Sequence, residues 1–252
     1  MSAAATASSH PASRLAIHAA SHFDVSVVGI TISEAQASAA RERVAEAGLS
    51  DRVEIRLQDY RELAGEQFDA ISSVGMSEHV GEKQLDRYFE VLHAALAPKG
   101  RLLNHAISST GGSKLGRTSF IGRYVFPDGE LQDVGDTVLA MERAGFEVRD
   151  VESLREHYPL TLRAWVQNLA ARREEAVAEV GHERERIWRM SMLGSALGFE
   201  SGDVTVYQVL TTRPDAAHGL PLLRSQLLAE AGCEGGRVHR RPGGLPYGAL
   251  TG

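Results

Sequence analysis

Apolar residues Leu15, Ile17, Ala19 and Ala20 recur through residues 13–23 at a spacing that predicts a short helix. The run that follows, 24–30 (DVSVVGI), is rich in β-branched residues and reads as a buried strand. Ser33 with Gln36 three residues on is a capping-box pattern, opening an alanine-rich helix that reaches about residue 49, with Gly48 as its stop. Residues 53–57 and 68–74 predict strands, 85–96 a helix closed by Pro98 and Gly100, and 101–107 another strand. Further on, 134–144 predicts a helix, 146–154 an extended segment, 160–180 and 182–197 two helices, and 204–211 (VTVYQVLT) a late strand. Strand and helix alternate without hairpin signals. This order predicts an α/β fold of Rossmann-like type, a mainly parallel sheet covered on both faces, with the late strand antiparallel at the sheet edge.

Composition narrows the class. With 252 residues and 43% hydrophobic content the chain builds one substantial core. Acids outnumber bases, 33 to 27, and the net charge of −6 gives no bulk attraction to nucleic acid or anionic lipid. The single cysteine, Cys233, forms no internal disulfide, which fits a reducing compartment. Residues 1–11 lack the apolar stretch of a secretory signal, and no window reaches membrane-spanning length. Cytoplasm is the expected location, with membrane contact limited to the periphery of the inner face. Three regions are expected: 1–12 disordered or replaced, 13–213 the folded domain, and 214–252 a loose tail rich in glycine, proline and arginine.

Ligands of open α/β sheets bind outside the carboxyl ends of the strands, so GITIS, QDY, SVGMSEHVG and NHAIS all point to one rim. Glu78 and His79 follow a strand in a glycine-bounded loop, where Glu78 is either a chemical group or the cap of the next helix. His105, inside LLNHAI, fits a hydrogen-bonded core histidine on its own evidence. No zinc spacing, nucleophile elbow or phosphate-binding loop occurs. The stretch 114–126 mixes Lys114, Arg117 and Arg123 with Phe120, Tyr124 and Phe126, and the expectation is inward aromatics with solvated bases. Leu162, Trp165 and Leu169 are expected to form one core face of their helix.

Taken in order, GITISEAQ, LQDY, SVGMSEHVG, NHAIS, FIGRYVFPDGEL and HYPLTLRAW resemble the cyclopropane-fatty-acid synthase family, across roughly residues 15–213. The resemblance implies a SAM-dependent methyltransferase fold and transfer of a methylene or methyl group from S-adenosyl-L-methionine to the double bond of an unsaturated fatty acyl chain. It implies a carbocation deprotonated by a bound bicarbonate ion, held by Glu78, His105, the backbone of Ile107 and Tyr158. It implies further that Gly29, Thr31 and Gln36 border the ribose and methionine portions of SAM, while Gln58, Asp59 and Tyr60 face the adenine. An unsaturated acyl lipid is the implied partner; nothing in the pattern specifies an oligomeric state.

The pattern departs from the family at its front. Where the family carries a strand and a glycine-rich loop, this chain has Ser8, Ser9, His10 and Pro11. The first strand and the loop are therefore expected to be missing, as in a truncated or frameshifted gene, and a central gap in the sheet is the expected consequence. The alternatives are a non-catalytic remnant unable to bind SAM, or a SAM methyltransferase acting on a non-lipid small molecule.

Overall fold

The computed structural model describes residues 2–7, 11–112, 119–127, 129–215 and 217–226, with 2–7 and 11–12 as backbone alone. The first half alternates β1 (Ser2–Ala7), α1 (Pro11–His22), β2 (Ser26–Thr31), α2 (Glu34–Glu46), β3 (Val53–Leu57), β4 (Phe68–Val74), α3 (Leu85–Ala95) and the long β5 (Leu96–Ser109). After it come α4 (Phe120–Tyr124), β6 (Gln132–Asp133), α5 (Val134–Arg143), β7 (Glu147–Ser153), α6 (His157–Ala171), α7 (Arg173–Ser201) and β8 (Val204–Thr212). All of these belong to one compact unit, Met1–His218; Gly219–Gly252 forms a second, described only to residue 226. The tail expected from 214 onward therefore lies mostly outside the described residues.

The main path of the sheet runs β3-β2-β1-β4-β5-β8-β7, with β6 paired to β5 outside it. Strands β1 to β5 are parallel, and β8 is antiparallel to both β5 and β7. Two expectations are corrected here. The central strand is present: Ser2–Ala7 pairs with β2 from Ser2↔Ser26 to Thr6↔Ile30 and with β4 from Ala3↔Ala70 to Ala7↔Val74. A ladder is closed by backbone groups, which an alanine-rich hexapeptide supplies as fully as a valine-rich one; its weak β-propensity hid it in the sequence. The second correction concerns β8, which lies between β5 and β7 and not at the edge. Its inner position explains its dense β-formers, since Val206 and Val209 are both buried.

Three apolar clusters hold the layers together. One, built on Phe68, Ile71, Phe89, Leu92, Leu102 and Met141, joins β4 and β5 to α3 and α5. The buried side of α3 (Leu85, Tyr88, Phe89, Leu92) follows the three-and-four spacing of an amphipathic helix. A second cluster sets α1 and α2 against β2 and β3 through small residues such as Ala16, Ala20, Ala37 and Ala40. The third packs Leu162, Ala196 and Phe199 against Val206 of β8.

The long helical arm also differs from expectation. The chain breaks at Arg172, between α6 and α7, and again at Gly181, whose φ of 82° and ψ of 161° lie outside the range of other residues. Buried Glu185 bridges that second break, 3.6 Å from Arg173 before it and 3.1 Å from Arg189 after it. Of the three residues expected to form a core face on α6, Leu162 is buried but Trp165 is 47% exposed. Phe120, Tyr124 and Phe126 are likewise at the surface, overturning the expectation of inward aromatics; Lys114 and Arg117 lie outside the described residues.

Candidate active site

The carboxyl ends of β2 and β3 meet where the Gln58 N–H donates to the Thr31 carbonyl at 3.0 Å. Ser33 caps α2, accepting from the Gln36 N–H at 3.4 Å, but the reciprocal half of the box is rearranged. Thr31 Oγ1 accepts from the Ser33 N–H and donates to Gln36 Oε1, so Thr31 and Gln36 are locked to each other at the rim. Gly29 lies within β2, where a Cβ would come within 2.8 Å of Ile55 Cδ1 and would push the tip of that side chain aside; close packing against β3 is thus one reason for a small residue there.

Asp59 caps the 3₁₀ turn Tyr60–Glu62 and grips Arg61 with both carboxylate oxygens, which holds its carboxyl below the ordinary range. Tyr60 is buried, edge-on to Tyr88 at 4.9 Å. The structure thus brings Thr31, Gln36 and Gln58 to one rim, while Asp59 is engaged locally and the Tyr60 ring belongs to the core. Sequence reasoning passed over two residues here. Ile32 and Leu57, 73% and 51% exposed, place apolar surface at the ends of these adjacent strands, the kind of surface a purine face covers. They were hidden because each reads as the last residue of an apolar run.

The second group lies across the sheet. At the end of β4 the Gly75 N–H still donates to the His105 carbonyl at 2.8 Å. A continuing parallel ladder would next give the Ile107 N–H a backbone acceptor, but the chain has turned away. Glu78 Oε1 takes that place, accepting from the Ile107 N–H at 2.7 Å. The carboxylate therefore finishes the sheet and does not cap the following helix. Glu78 is 7% exposed, and its Oε2 has no hydrogen-bond partner among the described residues. Burial pushes its pKa up to about 7, against the opposing pull of the Ile107 and Glu78 N–H groups and the Ser77 hydroxyl.

His105 precedes Ile107 by two residues on β5, so both side chains leave the same face of the strand. Its Nδ1 lies 3.2 Å from Gln208 Nε2, opposite it on β8. An amide nitrogen only donates, so Nδ1 accepts and the ring proton resides on Nε2. Burial lowers the His105 pKa and keeps the ring neutral. Tyr158 and Ile107 both pack against the third cluster, the Tyr158 ring 4.6 Å from that of Phe199. Its hydroxyl pKa is raised by burial and then by the Glu78 charge, which places the two groups within electrostatic reach. Glu78 and Tyr158, distant from each other and from the β5 pair His105 and Ile107 in sequence, converge around β5.

A profile of the family described as mycolic acid cyclopropane synthetase matches residues 13–209. The chain belongs to the mycolic acid cyclopropane synthetase family. It is 41% identical to a probable fatty acid methyltransferase of Pseudomonas putida over 84% of this chain and 56% of that one. It is 38% identical to the cyclopropane-fatty-acyl-phospholipid synthase of Escherichia coli K12 over 79% of this chain and 50% of that one. The chain thus spans about half the length of these curated relatives. Among solved structures it is similar to mycolic acid cyclopropane synthase CmaA1 complexed with SAH and CTAB, with a TM-score of 0.76 and 27% identity, covering 84% of this chain and 78% of that one. As a member of the mycolic acid cyclopropane synthetase family it has the SAM-dependent methyltransferase fold. No helix among the described residues is long and apolar enough to cross a membrane.

Proposed function

We propose that this chain carries out SAM-dependent transfer of a methyl or methylene group to the double bond of an unsaturated fatty acyl chain. When bound, SAM supplies the electrophilic methyl group and bicarbonate the proton acceptor. The observation that carries the reading is Glu78, a buried carboxyl with one oxygen fixed by the Ile107 N–H and the other without a partner among the described residues. A buried orphan oxygen fits a ligand that exchanges a hydrogen bond with it, and a carboxyl that titrates near 7 can meet an anion in its protonated form.

Within this reading the His105 Nε2–H and the Tyr158 hydroxyl supply further donors to the anion, beside the apolar third cluster. The Ile107 N–H is committed to Glu78, so its part is to orient that carboxyl. Thr31, Gln36 and Gln58 would meet the polar edges of SAM, with Ile32 and Leu57 beneath its purine. Asp59 and Tyr60 shape the rim through Arg61 and Tyr88. The relatives named for fatty acid and fatty-acyl-phospholipid substrates, and the CTAB in the CmaA1 complex, support an acyl lipid as the substrate class. Contact with the membrane would then be peripheral.

One observation favours a second reading, a remnant that does not bind SAM. The first glycine of the chain is Gly29, so the connection between β1 and α1 lacks the glycines that let a backbone approach the cofactor closely. Calorimetric titration with SAM separates the two: saturable heat supports the enzyme, and its absence supports the remnant. Given binding, Glu78→Gln is expected to lower turnover on vesicles of unsaturated phospholipid at least about 100-fold while leaving SAM affinity unchanged. Unchanged turnover would reject the role given to Glu78.

A further inference from the structure

The turn that carries Glu78 is touched by a later segment at three points. The Phe126 ring lies edge-on to His79, with centroids 5.9 Å apart. The Glu130 N–H donates to the Glu78 carbonyl at 2.9 Å. Glu130 Oε2 accepts from the Glu82 N–H at 3.1 Å. Two of these contacts belong to one residue, which spans the turn from the backbone carbonyl of Glu78 to the start of the next 3₁₀ turn, Glu82–Gln84.

Gly81 is what admits it. That residue has a φ of 81°, in the left-handed region, and a Cβ there would stand 3.1 Å from Glu130 Oε2. The Glu82 N–H is one of the donors a helical turn leaves without an internal partner, and a carboxylate at that end is favoured electrostatically. Glu130 also lies just before β6, which is pinned in turn: Asp133 accepts from the Ser109 hydroxyl at 2.7 Å and from the Gly112 N–H at 2.8 Å. The far end of the clamp is therefore anchored to the C-terminal end of β5, the strand whose Ile107 N–H holds Glu78.

We infer that Glu130 is a positioning residue, which clamps the turn between Glu78 and Glu82 and so fixes the Glu78 carboxyl on the Ile107 N–H. The inference rests on the reading of Glu78 as the central group of the site, but it acts through the backbone and needs no ligand. Gly81 suits this arrangement: its φ already favours glycine, and the missing Cβ leaves Glu130 Oε2 the few tenths of an ångström that a side chain would take.

The test is amide hydrogen exchange in the full chain, without SAM or lipid. Replacing Glu130 by alanine removes the acceptor, and the Ile107 amide is expected to exchange about five-fold faster while the Leu102 amide, deeper in β5, is unchanged. Glu130→Gln keeps an acceptor oxygen and is expected to restore protection at Ile107. An unchanged Ile107 rate in Glu130→Ala overturns the inference. So does acceleration at Leu102 of the same size, which would mean a general loss of stability. SAM titration of the same samples separates the two claims: a chain that binds no SAM but shows the alanine–glutamine contrast keeps the clamp and loses the proposed activity.

Discussion

Glu78 joins two roles that are usually separate, that of a sheet-ending acceptor and that of a buried titratable group. Its folded-state pKa of about 7 exceeds the ordinary 4.5, so the folded chain holds a proton that the unfolded chain releases. Its contribution to stability is therefore fully present below about pH 4.5 and is lost as pH rises through 7, an order of about 3 kcal/mol in all. Urea denaturation at pH 5 and pH 8 checks this, with Glu78→Gln expected to flatten the difference by that amount. The residue was legible because it follows a strand in a glycine-bounded loop. Its partner was not, since nothing in sequence order says that the ladder stops at Gly75 and leaves the Ile107 N–H to be satisfied. His105 shows the same limit: the apolar strand marks it as buried, and only Gln208 on β8 determines which nitrogen carries the proton. Glu130 stood inside the FIGRYVFPDGEL segment without a role of its own, because a carboxylate among polar residues is the commonest surface feature of a soluble chain.

At the scale of elements, periodicity located the helices and strands that carry large apolar residues and failed on β1, which carries none. The ladder itself supplies a test of that strand. Ala4 pairs with Val28 on one side and Ile71 on the other, so Ala4→Pro deletes a donor in the middle of the sheet. A loss of about 3 kcal/mol or more in urea denaturation is expected, and a neutral result would mean that residues 2–7 do not hold the centre. The helical arm offers a second check. Gly181 adopts a conformation nearly closed to other residues, and Gly181→Ala is expected to cost about 1–3 kcal/mol in the same assay. Sequence spacing did place a boundary between residues 180 and 182; the break at Arg172 escaped it because Arg172 lies in an unbroken run of good helix formers.

For the molecule as a whole, the resemblance of ordered motifs named the family, while the physical pattern alone reached only a Rossmann-like sheet with a site at its rim. The proposed cofactor half of that rim can be tested without turnover. A ligand that binds only the folded state at a hundred times its Kd adds about 2.7 kcal/mol, or roughly 5–10 °C in the thermal midpoint of a chain this long. Saturating SAH is expected to raise the midpoint by that amount, and no shift would favour the remnant. The position of β8 carries a consequence for how the chain is made. Everything from α5 to α7 must leave the ribosome before β8 appears, and until then β5 presents an open hydrogen-bonding edge while β7 has no neighbour on its β8 side. Between the completion of β5 at residue 109 and the arrival of β8 at residue 204, a nascent chain is therefore an unfinished template for stray strands, and a translational pause or premature stop just short of residue 204 should send it towards aggregation.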